Sequence, residues 1–347
     1  MAIKTLYIDD FISQSNGNVV IDVRSPSEYQ HAHFPGAISI PLFDDEERKV
    51  VGTTYKQKSR ESAIKIGLDF FGPKMRGIVE QVEEILQKAS TKKVLVHCWR
   101  GGMRSGAIAW LLDLYGFDVH LLKGGYKAYR NWVLAQFVKK YNLIILSGYT
   151  GSGKTEILHE FERMGEAVID LEALAAHKGS TFGALGQGSQ PSTEYFENLL
   201  ALKLYELTKE DEERLIWVES ESNRLGIDLV NFQFHQQMKE ATCIHIEVPK
   251  EARINKIVEE YGVFDKDELM AGVDRISKRL GGLSTKQAKE FIAKEDFYDA
   301  FEILINYYDK AYDASKLFQS PILDIHLEGT DADVNAGIVL EQIRKTK

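Results

Sequence analysis

The chain has 347 residues, which is longer than one ordinary domain and predicts two. Hydrophobic residues make up 44% of the sequence and charged residues 27%, proportions typical of a globular protein with well-packed cores. No apolar run reaches roughly 18 residues and the first residues carry acids, so we expect neither a membrane span nor a signal peptide. The two cysteines, Cys98 and Cys243, form no disulfide framework and favour a cytoplasmic location.

The first part of the chain alternates short apolar strands with helical segments. Strands are predicted over residues 19–23, 38–40, 94–96 and 119–122, each bounded by turn residues or by a helix start. Strands that alternate with helices indicate a parallel sheet with helices on both faces.

Cys98 lies directly after one of these strands, before a glycine-containing loop and the N-terminus of a helix. Backbone N–H groups at that end of a helix stabilise an anion, so we expect the pKa of the Cys98 thiol to be depressed. Arg100 and Arg104 add positive charge on either side. We therefore predict that Cys98 is a nucleophile, with Arg100 and Arg104 as its catalytic partners, rather than a buried structural cysteine.

A basic segment covers residues 48–76, with eight Lys and Arg against two acids and with aromatic residues interleaved. Positive charge binds RNA phosphates and aromatic rings stack on unpaired bases, so the segment is a candidate RNA-binding surface. A solvated face over a packed core is the alternative. Residues 1–137 hold 18 Lys and Arg against 15 acids, whereas residues 138–347 hold 25 against 37, which favours RNA binding by the first part. The predicted contacts are Lys56, Lys58, Arg60 and Arg76.

The domain boundary is predicted near residues 137–141, giving domains over residues 1–137 and 138–347. A predicted strand over residues 142–147 continues into GYTGSGKT, a complete G-x-x-x-x-G-K-T P-loop in strand–loop–helix context. Backbone N–H groups of such a loop surround a diphosphate, the lysine reaches the outer phosphate, and the threonine can bind Mg²⁺. The predicted diphosphate- or nucleotide-binding residues are Gly148, Thr150, Gly151, Ser152, Gly153, Lys154 and Thr155.

Further strands are predicted over residues 167–170, 215–219, 242–248 and 322–326, with a mainly helical stretch before the last of them and a helix after it. Acids at or just after two strand ends, Asp170, Glu219 and Glu221, are candidates for the Mg²⁺ side of the site. The expected fold class is therefore α/β, with an N-terminal parallel-sheet domain and a P-loop NTPase-like domain that has a helical C-terminal part. The histidines lack ligand spacing, so no structural metal is predicted.

Three segments, DVRSPSEYQHAHFPGAISIP, HCWRGGMRS and LKGGYKAYRNW, resemble the signatures of rhodanese domains, in their usual order. The resemblance implies that Cys98 carries sulfur or selenium. The same loop also fits the H-C-x5-R-S/T pattern of cysteine phosphatases, some of which share the rhodanese fold. A phosphatase with a regulatory nucleotide-binding domain therefore stays open as an alternative.

A rhodanese domain fused to a P-loop domain, together with SGYTGSGKT, DLEALAAHKGSTFG and WVESESNRLG, resembles the bacterial tRNA 2-selenouridine synthases over essentially the whole chain. The resemblance implies replacement of sulfur by selenium in the wobble-position 2-thiouridine of a tRNA anticodon loop. It further implies selenophosphate as the selenium donor and geranyl diphosphate as the alkylating substrate. A trough of Phe182, Leu185, Tyr195, Phe196 and Leu199 is predicted to hold the geranyl chain. Because a P-loop usually binds a nucleotide, ATP stays open as its ligand, and a non-catalytic tRNA- or nucleotide-binding protein is the third reading.

Overall fold

The computed structural model describes residues 3–315 and 323–346. Contacts divide the chain into two compact units, Met1–Gln136 and Phe137–Lys347. In the described part of the chain, no helix is long and apolar enough to cross a membrane.

The first unit is built on a parallel sheet. Its strands are β1 (Lys4–Leu6), β2 (Val19–Asp22), β3 (Ile38–Ser39), β4 (Lys93–His97) and β5 (Asp118–Leu122). Its α-helices are α1 (Ile8–Ser15), α2 (Pro26–His31), α3 (Asp45–Gln57), α4 (Arg60–Phe71), α5 (Met75–Lys88), α6 (Met103–Tyr115) and α7 (Gly125–Gln136), with a 3₁₀ turn at Gly72–Lys74. The strand order is β1-β5-β4-β2-β3 and every pairing is parallel.

The core of the first unit is formed by the β-branched strand residues and one face of the surrounding helices. Val94 and Val96 of β4 are fully buried, as is Val82 of α5. Because the strands are parallel, their carboxyl ends lie at one edge of the sheet, where the segments after β2, β4 and β5 meet. The three predicted rhodanese signatures begin at the ends of these strands, so the topology brings them together.

The second unit also has a parallel sheet. Its strands are β6 (Asn142–Gly148), β7 (Ala167–Ile169), β8 (Leu215–Glu219), β9 (Arg224–Leu225), β10 (Asp228–Leu229), β11 (Thr242–Glu247) and β12 (Leu323–His326). Its helices are α8 (Lys154–Arg163), α9 (Leu171–Ala175), α10 (Thr193–Thr208), α11 (Phe232–Glu240), α12 (Lys250–Tyr261), α13 (Lys266–Leu280), α14 (Gly282–Ala293), α15 (Phe297–Ser315) and α16 (Ala332–Thr346). The main sheet has the order β12-β11-β6-β8-β7, all parallel, and β9 and β10 form a separate antiparallel pair.

Two apolar clusters stabilise the second unit. One lies between the sheet and helices α8 and α16, around Trp217 and Phe161, whose ring centroids are 4.5 Å apart. The other is formed by helices α12–α15 around Leu269, Val273 and Phe301. The predicted α/β class, with a helical part near the C-terminus, is therefore confirmed. The predicted strand over residues 322–326 corresponds to β12, and residue 322 lies outside the described residues.

Candidate functional site

Cys98 lies immediately after β4, at the carboxyl edge of the first sheet. Its side chain is buried, with 3% of its surface exposed. The Sγ atom accepts the backbone N–H of Gly102 at 3.4 Å and lies 3.2 Å from the Ser105 hydroxyl on α6. The strand–loop–helix geometry predicted from the sequence thus surrounds the thiol with hydrogen-bond donors.

These contacts change the acidity of the thiol. Burial is the largest single influence and by itself raises the pKa of Cys98. The hydrogen bonds from Ser105 and Gly102, together with the positive charge of Arg104, stabilise the thiolate and outweigh burial. The pKa of Cys98 is therefore lowered from its ordinary value, as an activated nucleophile requires.

The loop after Cys98 is held in place by the start of α7. The N–H groups of Tyr126 and Lys127 donate to the carbonyl oxygens of Cys98 and Trp99, at 2.8 and 2.9 Å. Gly125 has a φ of +60°, and a Cβ atom there would lie 2.3 Å from the Cys98 carbonyl oxygen. This close approach explains the glycine in the segment after β5, and it gives the thiol a rigid support.

The two arginines of the loop have different surroundings. Arg104 forms a bidentate contact with Glu28 of α2, with N–O distances of 2.5 and 3.3 Å. The backbone N–H of Ser25 also donates to Glu28, and the charge of Arg48 lies 3.7 Å from it. Arg100 is exposed. Glu28 was missed at the sequence level, because its only local role there is in the first turn of a helix.

A buried ion pair supports the edge of the sheet beside the cysteine. Arg24 and Asp22 are 1% and 0% exposed, and their side chains form a salt bridge of 2.6 Å. Arg24 also donates to the carbonyl oxygen of Ala32 at 2.7 Å. Its guanidinium lies 3.7 Å from the centre of the buried Tyr126 ring. The charges are thus compensated by hydrogen bonds and an aromatic face, as buried ions require.

In the second unit, the P-loop lies between β6 and α8 and borders a cavity of about 690 Å³. Gly151 and Gly153 both have a φ of +80°, which a residue with a side chain rarely adopts. Ser152 is the exception among the predicted binding residues, since it does not line the cavity. It is fully buried, and its hydroxyl has no hydrogen-bond partner within the described residues. The predicted residues that do line the cavity are Gly148, Thr150, Gly151, Gly153, Lys154 and Thr155.

Three glutamates meet beside the P-loop. Glu172, Glu219 and Glu221 each place one carboxylate oxygen within 4.8 Å of the others. The Thr155 hydroxyl donates to Glu219 at 2.9 Å and to Glu172 at 3.4 Å, and the Lys154 ammonium lies 3.4 Å from Glu219. Glu219 and Glu221 were predicted from the sequence, whereas Glu172 was not.

The glutamates hold protons more tightly than ordinary carboxylates do. Burial is the main cause for all three, and the negative charge of the neighbouring carboxylates adds to it for Glu172 and Glu221. The pKa of Glu172 is raised to about 10 and that of Glu221 to about 8, and the pKa of Glu219 is also raised. Hard oxygen donors with strong mutual repulsion form a set that suits a divalent cation such as Mg²⁺.

The structure places Asp170 outside this cluster. β7 ends at Ile169, so Asp170 is the N-cap of α9 and accepts the N–H of Ala173 at 2.8 Å. Its other carboxylate oxygen lies 2.8 Å from Nε2 of His159. Asp170 thus stays a predicted contributor to the Mg²⁺ side, close enough for its charge to act on all three glutamates, and Glu172 from the first turn of α9 joins Glu219 and Glu221 in the cluster.

The apolar wall of the cavity comes from a different element than predicted. Of the five predicted trough residues, only Phe182 lines the cavity. Helix α10, which carries Tyr195, Phe196 and Leu199, packs instead against α9 and β7, and Leu185 packs on the core of α12–α15. The wall is formed mainly by α12 and α15, through Ile257, Tyr261, Phe301, Leu304, Ile305 and Tyr308.

Most cations around the cavity already have carboxylate partners. Lys178 pairs with Glu260, and Lys256 lies 2.7 Å from Glu156. Arg279 at the end of α13 also lines the cavity, and it makes no ion pair with any described residue. A ligand that enters the cavity therefore meets one guanidinium whose charge is uncompensated.

The predicted tRNA contacts lie on or beside the helices of the basic segment. Lys56 is on α3, Lys58 is its C-cap and Arg60 begins α4, and all three are exposed. Arg76 is engaged by Glu80 one turn later, at 2.8 Å. Lys56 also lines a small cavity of about 300 Å³.

The aromatic residues of the basic segment are only partly available to RNA. Tyr55 is 51% exposed. Phe71 is buried in the core, and Phe70 packs against the same core. The segment therefore offers charge more than stacking surface.

Comparison with known proteins decides the family. Residues 8–131 match the model of the rhodanese-like domain, and residues 141–338 match the model described as the tRNA 2-selenouridine synthase AAA domain. The chain belongs to the tRNA 2-selenouridine synthase family. The resemblance that the sequence motifs indicated is thereby confirmed, and it covers both units of this family member.

Curated relatives agree over most of their length. The chain is 31% identical to the tRNA 2-selenouridine synthase of Nitrosomonas europaea, over 84% of this chain and 88% of that protein. It is 34% identical to those of Shewanella sediminis and Sulfurovum sp., with 84% and 86% of this chain covered and 81% and 88% of theirs. These alignments extend across both the cysteine loop and the P-loop of this family member.

Proposed function

We propose that this protein is an enzyme that replaces sulfur by selenium in 2-thiouridine at the wobble position of tRNA. Its family membership supports tRNA selenation, since the curated relatives are named for that product. One observation about Cys98 carries the proposal. Its buried thiol is contacted by Gly102 and Ser105, and the pKa of the thiol is lowered. Such a thiolate is suited to accept a chalcogen from a donor and to hold it away from water.

In this proposal selenophosphate supplies the selenium that Cys98 carries. Arg100 and Arg104 contribute positive charge beside the loop, although Arg104 shares its charge with Glu28. Selenium in selenophosphate is at the selenide level, whereas selenium bound to the Cys98 sulfur is at the level of a persulfide. Loading therefore forms the S–Se bond, breaks the P–Se bond by hydrolysis to phosphate, and passes two electrons to a disulfide oxidant. Delivery as selenide takes two electrons back from a thiol reductant, so the cycle has no net redox change.

The P-loop cavity holds geranyl diphosphate in the first of the two chemical steps. The thiocarbonyl sulfur of 2-thiouridine attacks C1 of the geranyl group, the C1–O bond breaks, diphosphate leaves, and the N3 proton of the base passes to water. Lys154 and the backbone of the P-loop stabilise the charge of the departing diphosphate, and Arg279 adds to it. The apolar wall of α12 and α15 accommodates the hydrocarbon chain.

The second step occurs at C2 of the base. The selenium nucleophile forms a C2–Se bond, the C2–S bond breaks, and the alkylated sulfur leaves as geranyl thiol after taking up a proton. Alkylation makes this exchange favourable, because a thiol is a better leaving group than the sulfur of a thiocarbonyl.

The three glutamates and Thr155 fit Mg²⁺, since all of them offer hard oxygen donors. When bound, the cation would neutralise charge on the diphosphate. Without it, Glu172 and Glu221 largely hold their protons, because their pKa values are raised to about 10 and about 8. A cation at this cluster would displace those protons and present positive charge to an anionic ligand. ATP is the competing candidate for the same loop, because its phosphates have the same charge and shape.

A direct test uses purified protein, selenophosphate, geranyl diphosphate, a buffered thiol–disulfide pair and a tRNA that carries 2-thiouridine, with the nucleosides analysed by mass spectrometry. We expect 2-selenouridine from the wild-type protein. Cys98→Ser should form the S-geranyl nucleoside but no 2-selenouridine, whereas Cys243→Ser, at the other and also buried cysteine, should form both. Selenation by Cys98→Ser would contradict the role of this residue. Turnover of p-nitrophenyl phosphate without RNA would instead support the cysteine phosphatase alternative.

A further inference from the structure

The loop that buries the Cys98 thiol turns other side chains outward. Trp99 and Met103 are 38% and 50% exposed, and Arg100 between them is also exposed, while Cys98 itself is 3% exposed. Trp99 thus keeps more than a third of its surface open to solvent beside a buried nucleophile. Its position indicates a contact with whatever approaches the thiol.

The Trp99 ring packs against two buried side chains, those of Tyr126 and Arg24. Its ring centroid lies 5.7 Å from that of Tyr126, with 37° between the planes, and Arg24 lies 6.0 Å from its centroid. Tyr126 is fully buried, and Arg24 is fixed by its salt bridge with Asp22. The carbonyl oxygen of Trp99 accepts the N–H of Lys127 at 2.9 Å. The backbone and one neighbouring surface of the indole are therefore held, so a ligand that stacks on it loses little side-chain entropy in doing so.

The substrate of the proposed function offers a matching surface. RNA loops are recognised through unstacked bases that lie on aromatic side chains, and phosphates beside them are attracted by arginine. We propose that Trp99 is the stacking platform for the pyrimidine that accepts selenium, with Arg100 facing the flanking phosphates. This inference rests on the proposed function, since it takes the acceptor base to be the substrate of Cys98.

Trp99 in this role is a positioning residue for the acceptor. Its loss should raise the KM for RNA much more than it lowers kcat, because the thiol and its hydrogen bonds are untouched. For Trp99→Ala we expect KM to rise about 10-fold, the order of magnitude of one base–aromatic stack. Trp99→Phe retains an aromatic face, so its KM for RNA should lie between those of Trp99→Ala and the wild type.

The test measures selenation of an anticodon stem–loop RNA that carries S-geranyl-2-thiouridine, with the two Trp99 variants and Trp110→Ala. Trp110 is the matched control, because it is 52% exposed on α6 of the same unit. The rate of Cys98 alkylation against pH shows whether the loop is intact in each variant. Unchanged KM in Trp99→Ala, or an equal effect of Trp110→Ala, would overturn the inference. So would a shift of the alkylation profile that accounts for the lost activity.

A second measurement separates this inference from the proposed function. An RNA with 5-iodouridine at the wobble position is irradiated with the wild-type protein, and the crosslinked residue is identified by mass spectrometry. We expect the crosslink at Trp99. If the crosslink forms at Trp99 but the protein transfers no selenium, the stacking role of Trp99 stands and the proposed selenation activity is wrong. Transfer with the crosslink elsewhere would reject the platform alone.

Discussion

Ser105 sets the reactivity of Cys98 more directly than any charged group does. Among the influences that lower the pKa of the thiol, the hydrogen bond of the Ser105 side chain is the largest. Burial raises the pKa of Cys98, and the Ser105 hydroxyl opposes this effect, so removing the hydroxyl should raise the pKa. A serine in the first turn of α6 is thus part of the nucleophile, although its type suggests only a helix-start residue.

We therefore expect Ser105→Ala to raise the pKa of Cys98. Only the thiolate reacts with iodoacetamide, so the rate of alkylation as a function of pH should move to higher pH in this variant. Ser62→Ala on α4 removes a hydroxyl that bonds Ser59 instead, and its profile should match the wild type. A superimposable profile for Ser105→Ala would show that the hydroxyl does not stabilise the thiolate.

Glu28 shows how a contact between distant residues modifies a loop motif. Without it, the H-C-x5-R-S pattern would leave the Arg104 guanidinium ready for a phosphate-sized anion, as in a cysteine phosphatase. In this structure the Glu28 carboxylate binds the Arg104 guanidinium through two contacts, in the position that a phosphate would take in a cysteine phosphatase. The charge of the loop is thereby lower than the motif alone suggests, and a phosphate ester and selenophosphate alike must compete with Glu28 for Arg104.

At the scale of elements, the sequence predicts what depends on local periodicity and on the parallel-sheet rule. Strands β2, β4, β6 and β8 are apolar runs that end at motifs, so both the class of fold and the positions of the loops follow from them. β1 is only three residues long and its first two residues are exposed, so it has no apolar signature. The pairing of β9 with β10 is similarly short.

The cavity wall shows what local sequence does not contain. Both α10 and α15 carry aromatic residues, and only tertiary packing determines which helix faces the P-loop. The roles of Asp170 and Glu172 also depend on tertiary structure. The residue at which β7 ends determines that Asp170 caps α9 and that Glu172 joins the glutamate cluster. The predicted strand extends one residue too far, through Asp170, and this small error in a strand end conceals the capping role of that residue.

The α3–α4 region provides a test at this scale, since its exposed cations are predicted to contact tRNA. Reversing Lys56, Lys58 and Arg60 to Glu should weaken tRNA binding and flatten its salt dependence. Each lost phosphate contact reduces the slope of log K against log salt by about 0.7–0.9. The measurement is a set of binding titrations at several salt concentrations.

The control reverses an equal number of exposed or half-buried lysines in the acidic second part of the chain. Their loss changes the net charge of the protein by the same amount, so any difference between the variants reports location rather than charge. If the slope of log K against log salt is equal for the two triple variants, the cations of α3 and α4 do not contact tRNA and form an ordinary solvated surface. The control residues are Lys286, Lys289 and Lys294.

At the scale of the whole molecule, the two units carry different chemistry and different charge. The cysteine loop lies in the first unit, and the P-loop, its glutamates and its apolar wall lie in the second. Each reaction of the proposed function is assigned to the unit whose groups suit it, because a chalcogen needs a thiolate carrier and a prenyl diphosphate needs an anion cradle. The two half-reactions should therefore be separable by single substitutions.

Lys154→Ala is expected to abolish geranyl transfer while selenium loading of Cys98 continues. Lys154 is the cation of the P-loop that the proposed function places beside the leaving diphosphate, so its loss should lower the rate of geranyl transfer by about 10²–10³, the usual cost of one such electrostatic contact. Formation of the S-geranyl nucleoside and labelling of Cys98 from selenophosphate measure the two activities separately. Binding of labelled geranyl diphosphate, with ATP as competitor, identifies the ligand of the P-loop. Lys203→Ala removes a lysine that pairs with Glu162 outside the cavity and should preserve both. If Lys154→Ala transfers geranyl normally, or if ATP displaces the label at far lower concentration than unlabelled geranyl diphosphate, the P-loop serves a nucleotide instead.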